Sequence, residues 1–509
     1  MRTISPHPLK KVAAVLLGIS LACTGATAPS ANAQELALPA TGQAQLTQLT
    51  QLTELPQQLQ QALPDNLPIP EGLGSGAPEG SAAPEGSPAA SQQTQAPSKE
   101  VPFHWGVATA GFQIEGSNRD SNWSRYASED RQDGDKHIDG VRNAVDFRHR
   151  YAEDIANAAS LGVNTFRLSI EWSRIEPEPG HFDMEEVAYY DDVLRLIREH
   201  GMTPMITMIH YVYPGWIVDQ GGILSQQAED AFARYAAFIT DRWGGDGTMW
   251  VTLNEPFVWF GHDVEIHLAQ RTQLPEYLDM IVNFNRIGYE AAHAKDPNTL
   301  SGTNFAFLPT IAPVQRALLF ERLNPHMDYA GIDYYYSVSA TNLSAIHAAF
   351  ADFAAVTPEP EGIYYATRQY AEIFPGKPIY IVENGQPTDN AQPRADGYPR
   401  EEFLHDTIYW IQRAIADGVP IIGYNHWSLV DNYEWGDYSA RFGLWTVDVK
   451  NDPTLTRHAT PAVEEYRRII ADGGAQGPLY RQPALCSFAA LPQSCVQPAE
   501  VDGPRVLLR

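Results

Sequence analysis

From residue 101 onward the chain alternates between two hydrophobic patterns. Short apolar runs at 104–109, 165–170, 205–209, 250–253, 302–307, 329–334, 379–382 and 420–424 read as buried strands. Between them, apolar residues recur at helical spacing over 144–161, 185–200, 225–242, 275–293, 314–323, 362–370, 401–417 and 462–471. Gly162, Gly201 and Gly418 each stand just past such a segment, where a helix commonly ends on a left-handed residue. Eight β/α alternations predict an α/β fold with a parallel sheet, and eight is the number that closes a (β/α)8 TIM barrel. No Gly-x-Gly-x-x-Gly follows the first strand, so a doubly wound dinucleotide-binding sheet lacks its usual sign. The expectation is a single catalytic barrel over 101–475.

The first hundred residues carry neither pattern. Arg2, Lys10 and Lys11 precede the apolar run from Val12 to Ala22, and Ala31-Asn32-Ala33 offers a small-x-small cleavage site, so 1–33 read as a signal peptide. That run is too short to span a bilayer, and no other stretch reaches about 18 apolar residues. Stable membrane insertion is therefore not expected; the expected location is secreted, with association at the cell surface left open. Ser20-Leu21-Ala22-Cys23 has serine where a lipoprotein cleavage box wants an aliphatic residue. Leu38-Pro-Ala-Thr-Gly42 lacks the hydrophobic tail and basic end that a sortase signal needs. Residues 34–100 hold a leucine repeat (Leu46, Leu49, Leu52, Leu55) and three Pro-Glu-Gly units. Such a composition buries too little apolar surface to offset its ordering entropy, so a disordered linker is expected.

Charge and cysteine content narrow the partners. With 62 acidic and 35 basic residues the net charge is −27, which repels phosphate backbones and anionic lipid. Nucleic acid is not an expected partner, and oligomeric state is not legible. Cleavage after Ala33 removes Cys23 and leaves Cys486 and Cys495 in a C-terminal tail, 476–509. They form either a small disulfide loop or two free thiols.

In a barrel of this kind the chemistry sits just after the strands. Those positions read Gln113 and Glu115, Arg167, His210, Asn254-Glu255, Asp333 and Tyr335, Glu383-Asn384, then Trp427 and, further on, Glu434-Trp435. Glu255 and Glu383 stand out because each follows a strongly apolar strand. A carboxyl pair surrounded by tryptophans suits glycoside hydrolysis. One group must be protonated to donate to the leaving oxygen, the other ionised to attack or to activate water. Indole faces match the apolar C–H faces of sugars. No metal or other cofactor is expected: Asp133, Asp135 and Asp139 mimic a calcium loop, but His137 and Ile138 occupy positions that need an oxygen ligand and a glycine.

Four motifs carry a family resemblance. The run from Phe103 through Gln113 to Gly116, Thr252-Leu-Asn254-Glu255-Pro256, Ile381-Val-Glu383-Asn-Gly385, and Trp427-Ser-Leu-Val-Asp-Asn-Tyr-Glu434-Trp435 resemble the signatures of glycoside hydrolase family 1. The last continues into Arg441-Phe-Gly-Leu444, and the likeness runs from about 103 to 470. The resemblance implies a retaining β-glucosidase-like (β/α)8 glycosidase without cofactor, with Glu255 as general acid/base and Glu383 as nucleophile. Arg167 and Tyr335 resemble the residues that hold the nucleophile, and Asn254 the donor to the sugar 2-hydroxyl. Gln113, His210, Trp427, Glu434 and Trp435 resemble the residues that grip the remaining hydroxyls. Ionised Glu383 would keep Glu255 protonated until the glycosyl-enzyme forms and would then release it to act as base.

Two details narrow the substrate and three residues or intervals depart from the family. Phosphosugar members carry a serine and basic residues where Glu434-Trp435 stands, so terminal non-phosphorylated β-glucosides are expected, with β-galactosides and β-fucosides close behind. Myrosinase-like members lack the acid/base glutamate that Glu255 supplies. Against this, the family's His-Trp is His210-Tyr211, and its Asn-Tyr-Tyr is Asp333-Tyr334-Tyr335. An aspartate at 333 is expected to raise a neighbouring carboxyl's pKa and shift the pH optimum. The 78 residues from Glu255 to Asp333 are compressed, which opens the leaving-group side. A secreted hydrolase leads. A transglycosylase that passes the glycosyl unit to an alcohol, and a non-catalytic sugar-binding relic, stay open.

Overall fold

A computed structural model of the chain describes residues 100–134, 136–307, 315–335, 358–479 and 503–509. The leader, the low-complexity segment, Cys486 and Cys495 lie outside the described residues. Eight parallel strands close into a barrel: β1 (His104–Ala108), β2 (Thr165–Ser169), β3 (Thr203–Ile209), β4 (Met249–Asn254), β5 (Ser301–Ala306), β6 (Tyr329–Asp333), β7 (Ile379–Asn384) and β8 (Ile421–Trp427). Neighbours in sequence are neighbours in the sheet, and β8 pairs with both β7 and β1. All eight predicted strands are present, each within two or three residues of its expected ends.

The helices between them are α1 (Phe147–Ser160), α2 (Met184–Glu199), α3 (Gln226–Trp243), α4 (Pro256–Glu265), α5 (Leu274–Lys295), α6 (Gly362–Ile373), α7 (Arg400–Ala416) and α8 (Pro461–Asp472). Side-chain oxygens of Asp183 and Ser225 cap α2 and α3 by accepting from backbone N–H groups of the first turn. Gly162, Gly201 and Gly418 adopt φ of 84°, 77° and 95°, the left-handed geometry expected of them. After β5, where a helix over 314–323 was expected, one turn of π-helix (Arg316–Phe320) runs into Glu321–Leu323. No helix among the described residues is long and apolar enough to cross a membrane.

Inside the barrel, Met205, Met249, Val251, Tyr329, Tyr380 and Val382 pack together from β3, β4, β6 and β7. Burial of each side chain contributes roughly 1.5–3 kcal/mol. This apolar plug fills the barrel and pushes polar chemistry to the C-terminal rim. Two register shifts matter for that rim. Pairing of β4 with β5 slips between Val251 and Asn254, and pairing of β7 with β6 slips between Ile381 and Glu383. Strict alternation would place Val251 and Leu253, or Tyr380 and Val382, on the inner face and turn Asn254 and Glu383 outward. The irregularities re-aim both polar side chains into the barrel.

The first described residues pair with the last. Glu100–Val101 pairs in parallel with Leu507–Leu508, and Phe103 N–H donates to the Arg509 carbonyl at 2.7 Å. The last residues of the predicted tail therefore belong with the barrel, a contact between distant segments that local periodicity does not encode.

Candidate active site

Arg167, at the centre of β2, organises the floor of the site. It is fully buried, and each nitrogen has a partner. Nε donates to Thr207 Oγ1 at 2.8 Å, Nη1 to Glu383 Oε1, and Nη2 to Asn254 Oδ1 at 2.6 Å. Nη2 also donates to His210 Nδ1 at 3.3 Å. Because a guanidinium only donates, His210 Nδ1 must accept, and its proton sits on Nε2. Burial, followed by the charges of Arg167 and His262, pushes the His210 pKa well below the usual histidine value. The ring is neutral and offers one N–H. Thr207 and the Arg167–Asn254 link were not legible in the sequence; an inward-facing polar residue in an apolar strand was the available sign.

The two glutamates have different surroundings. Glu383 is buried and takes a hydrogen bond on each oxygen, from Arg167 and, at 2.7 Å, from the Tyr335 hydroxyl. Among the described residues no cation is bound to Glu255. Tyr211 Oη donates to Glu255 Oε2. Burial and then the charge of Glu383 push the Glu255 pKa up to about 7, against the lowering effect of the Tyr211 hydrogen bond. Glu255 therefore keeps a proton near neutrality while standing next to a carboxylate held by a guanidinium. That is the asymmetry a general acid and a nucleophile require. Glu255 has φ of 36° and immediately precedes α4, whose first residue is Pro256 of the Asn-Glu-Pro motif; Tyr211 and Trp435 also sit at positive φ, 66° and 44°. Such backbone is costly for non-glycine residues and gathers at functional sites.

The β8 side supplies a polar and aromatic wall. His210 lies parallel to Trp427 (centroids 5.9 Å apart, 4° between planes) and nearly parallel to Trp435 (5.8 Å, 14°). Trp435 is backed by Phe112 and Trp123. Trp427 Nε1 donates to Glu434 Oε1 at 3.2 Å. Burial raises the Glu434 pKa to about 8 despite that bond, with the Glu383 and Asp437 charges adding to the rise. Gln113 Nε2 donates to Asn432 Oδ1 and to the Tyr433 carbonyl, both at 2.9 Å, and leaves Oε1 buried without a partner. Asn254 Nδ2 is likewise buried and unpartnered. Glu115 is not brought here: it is bound by Arg174 at 2.7 Å and by Tyr190, in a buried ion pair beneath α2.

Asp333 ends β6 directly beside Glu383 in register. Asn304, from β5, spans two residues of the site: its Nδ2 donates to Asn254 Oδ1 at 2.7 Å and to Asp333 Oδ2. Nothing in the sequence singled out Asn304, because β5 lies in the compressed region where the motifs give no register. Asp333 and Glu255 also lie close enough to hydrogen-bond once one of them carries a proton. The structure alters the expected effect of this aspartate. Burial, then repulsion from Glu383 and Glu255, falls on Asp333 itself and pushes its pKa well above the carboxylate range. Its hydrogen bond acts to lower Glu255, not raise it.

A (β/α)8 barrel whose C-terminal rim holds two unequal carboxyls, a buried arginine and a tryptophan wall defines a class of hydrolytic sugar-processing enzyme. Residues 97–295 and 320–475 match glycosyl hydrolase family 1, and the chain belongs to that family of O-glycoside hydrolases. It is 26% identical over 481 residues to beta-glucosidase 24 of Arabidopsis thaliana, across 73% of this chain and 89% of that protein. It is 29% identical over 452 residues to a 1,4-beta-D-glucan glucohydrolase of Thermotoga neapolitana, across 73% and 95%. Among solved structures, the beta-glucosidase of Thermotoga maritima in complex with deoxynojirimycin superposes with a TM-score of 0.62 at 25% identity, covering 74% of this chain and 100% of that one.

Proposed function

We propose that the protein is an exported, retaining β-glycosidase that removes terminal, non-phosphorylated β-D-glucosyl residues. The observation that carries this reading is the unequal setting of the two glutamates, one bound by Arg167 and Tyr335 and the other pushed up to about 7 beside it. Glu383 attacks the anomeric carbon as the C1–O bond breaks, and Glu255 gives its proton to the leaving oxygen. A covalent glycosyl-enzyme and a free alcohol result. Esterification removes the Glu383 charge, so Glu255 ionises more readily and takes a proton from water. That water attacks C1, the sugar leaves with its configuration retained, and both glutamates return to their first state.

Asn254 Nδ2 and Gln113 Oε1, both buried without protein partners, are the groups a sugar would complete; His210 Nε2–H and Glu434 add a donor and a carboxyl for further hydroxyls. A carboxyl at 434 disfavours a phosphorylated sugar. The similarity to proteins described as β-glucosidases supports glucose as the glycone. Export rests on the leader-like 1–33. The test is nitrophenol release from β-glucoside, β-galactoside, β-fucoside and β-mannoside by wild type and Glu383→Ala, with the anomer of the first-formed sugar read by NMR. The expected result is β-glucoside turnover, a β-configured first product and loss in the variant. An α-configured first product overturns retention, and activity that survives Glu383→Ala overturns the assignment of the nucleophile.

A further inference from the structure

The site carries more buried and half-buried acid than its bases can balance. Glu383 is bound by Arg167, Asp333 is its register neighbour, and its charge reaches Glu255 and Glu434; among the described residues Arg167 is the one cation hydrogen-bonded to any of the four, and His210 is neutral. Three of the four acids are pushed upward, chiefly by burial and in each case also by the Glu383 charge. Such a cavity keeps protons on its acids, and a cationic ligand would let one of them ionise.

The unbalanced charge has a location. Asp333 is only 1% exposed; Oδ2 is held by Asn304, and among the described residues Oδ1 takes no hydrogen bond from an amide or hydroxyl, its one hydrogen-bonding neighbour being the carboxyl of Glu255, whose proton the proposed mechanism gives to the leaving oxygen. Asn304 Oδ1 is also buried and unpartnered. An unmet buried acceptor is costly, and native proteins rarely keep one without a ligand for it. The same Asn304 nitrogen touches both Asn254 Oδ1 and Asp333 Oδ2, so these two oxygens lie within about 5 Å of each other. Asp333 is also the register neighbour of Glu383, which attacks the anomeric carbon in the proposed mechanism. The carbon next to the anomeric centre, C2, is therefore the part of the sugar nearest to the Asn304–Asp333 corner.

A 2-hydroxyl has one hydrogen to give, and Glu383 can take it. A 2-ammonium has three, enough for Glu383, Asp333 Oδ1 and Asn304 Oδ1, and gives up the lone pair that a 2-hydroxyl offers Asn254 Nδ2. We propose that this corner selects a glycone bearing a charged amine at C2, so that the enzyme cleaves 2-amino-2-deoxy-β-glucosides, with Asp333 as the specificity-determining residue. The inference rests on the glycosidase reading of Glu255 and Glu383. The bonds made and broken are the same: C1–O is exchanged for C1–O of water, and the amine is a bystander. Ion pairing at Asp333 offsets the resistance that a positive substituent next to the anomeric carbon offers to positive charge developing there.

The experiment compares kcat/KM for nitrophenyl 2-amino-2-deoxy-β-glucoside, its 2-acetamido counterpart and the parent β-glucoside, in wild type and Asp333→Asn. Each ratio is taken within one preparation, so partial misfolding of the variant cancels. The expected result is cleavage of the amino sugar at least as efficient as that of the glucoside, with the acetamido sugar poor. Asp333→Asn should lower the amino-to-glucoside ratio by about tenfold or more. Turnover of glucoside but not of the amino sugar overturns the inference and leaves the glycosidase reading standing. An unchanged ratio in Asp333→Asn, or acetamido cleavage equal to that of the amine, overturns it as well. Turnover of none of the three overturns the glycosidase reading and this inference with it.

Discussion

The two sides of the site differ in how completely the protein satisfies its own polar groups. On the β2–β3–β7 side every nitrogen of Arg167 has a partner and both oxygens of Glu383 are bound. On the β5–β6 side Asn304 and Asp333 each keep a buried oxygen that takes no hydrogen bond from an amide or hydroxyl among the described residues, and the family match lapses over 296–319, where β5 lies. The difference teaches where each kind of information is stored. A reaction shared across a family needs one closed network around the attacking carboxylate. Selection among substrates is written in groups left open for a ligand to close.

The comparison between Glu383 and Glu255 gives the largest expected effect. On the proposed mechanism Glu383→Ala removes the attacking group, and kcat should fall about 10⁴-fold or more whatever the leaving group. On the same proposal Glu255→Ala removes only proton donation and water activation. The loss should be about 10²–10⁴-fold for an alkyl glycoside and far smaller in the first step for a dinitrophenyl one, whose phenolate leaves without a proton. Steady-state rates over a series of leaving groups, with the burst of phenolate monitored, separate the two. Equal losses across the series for both variants would remove the distinction between the two sides.

A smaller effect concerns Tyr211. Its hydroxyl stabilises the charged form of Glu255 and so opposes the burial that raises this pKa to about 7. A general acid must be protonated in the free enzyme, so kcat/KM should decline as pH rises through that value. Tyr211→Phe deletes the donor. The alkaline limb should then move to higher pH by about 0.5–1 unit, because a donor to the carboxylate was lost. A shift to lower pH, or none, would mean that Tyr211 does not bind Glu255 in solution.

Much of this architecture is readable from residue order. The eight strands follow from apolar runs, and Gly162, Gly201 and Gly418 from the need for positive φ. The four motifs find Glu255, Glu383, Gln113 and Glu434 because those residues are fixed to strand ends by local sequence. What escapes is set by pairing between strands. The slips in register that turn Asn254 and Glu383 inward are properties of two strands at once, and no single run of residues displays them. Asn304 acts only because Asn254 and Asp333 face it across two ladders. The return of Leu507–Leu508 to Glu100–Val101 joins segments some four hundred residues apart. Even the sign of Asp333's influence on Glu255 depends on which group holds the proton, a question of geometry and burial.

The smallest expected effect tests the β8 wall through stability. Glu434 has its pKa raised from 4.5 to about 8, first by burial. An acid raised on folding binds more protons in the native state than in the unfolded chain between those two values. Its contribution to stability is therefore most favourable below pH about 4.5 and is lost progressively as pH rises toward 8. Glu434→Gln keeps the shape and the contact with Trp427 Nε1 but cannot ionise. At pH 5 the variant should be nearly as stable as wild type. At pH 8 it should be more stable by about 2–4 kcal/mol, since it alone escapes the cost of a buried charge. Urea titrations of both proteins at the two pH values measure this double difference directly. If the gap between them does not grow with pH, Glu434 is ionised in the folded enzyme throughout. The acid excess that makes the site short of positive charge would then be larger on the β8 side than on the β6 side, and a cation would be drawn to the far end of the sugar instead of C2.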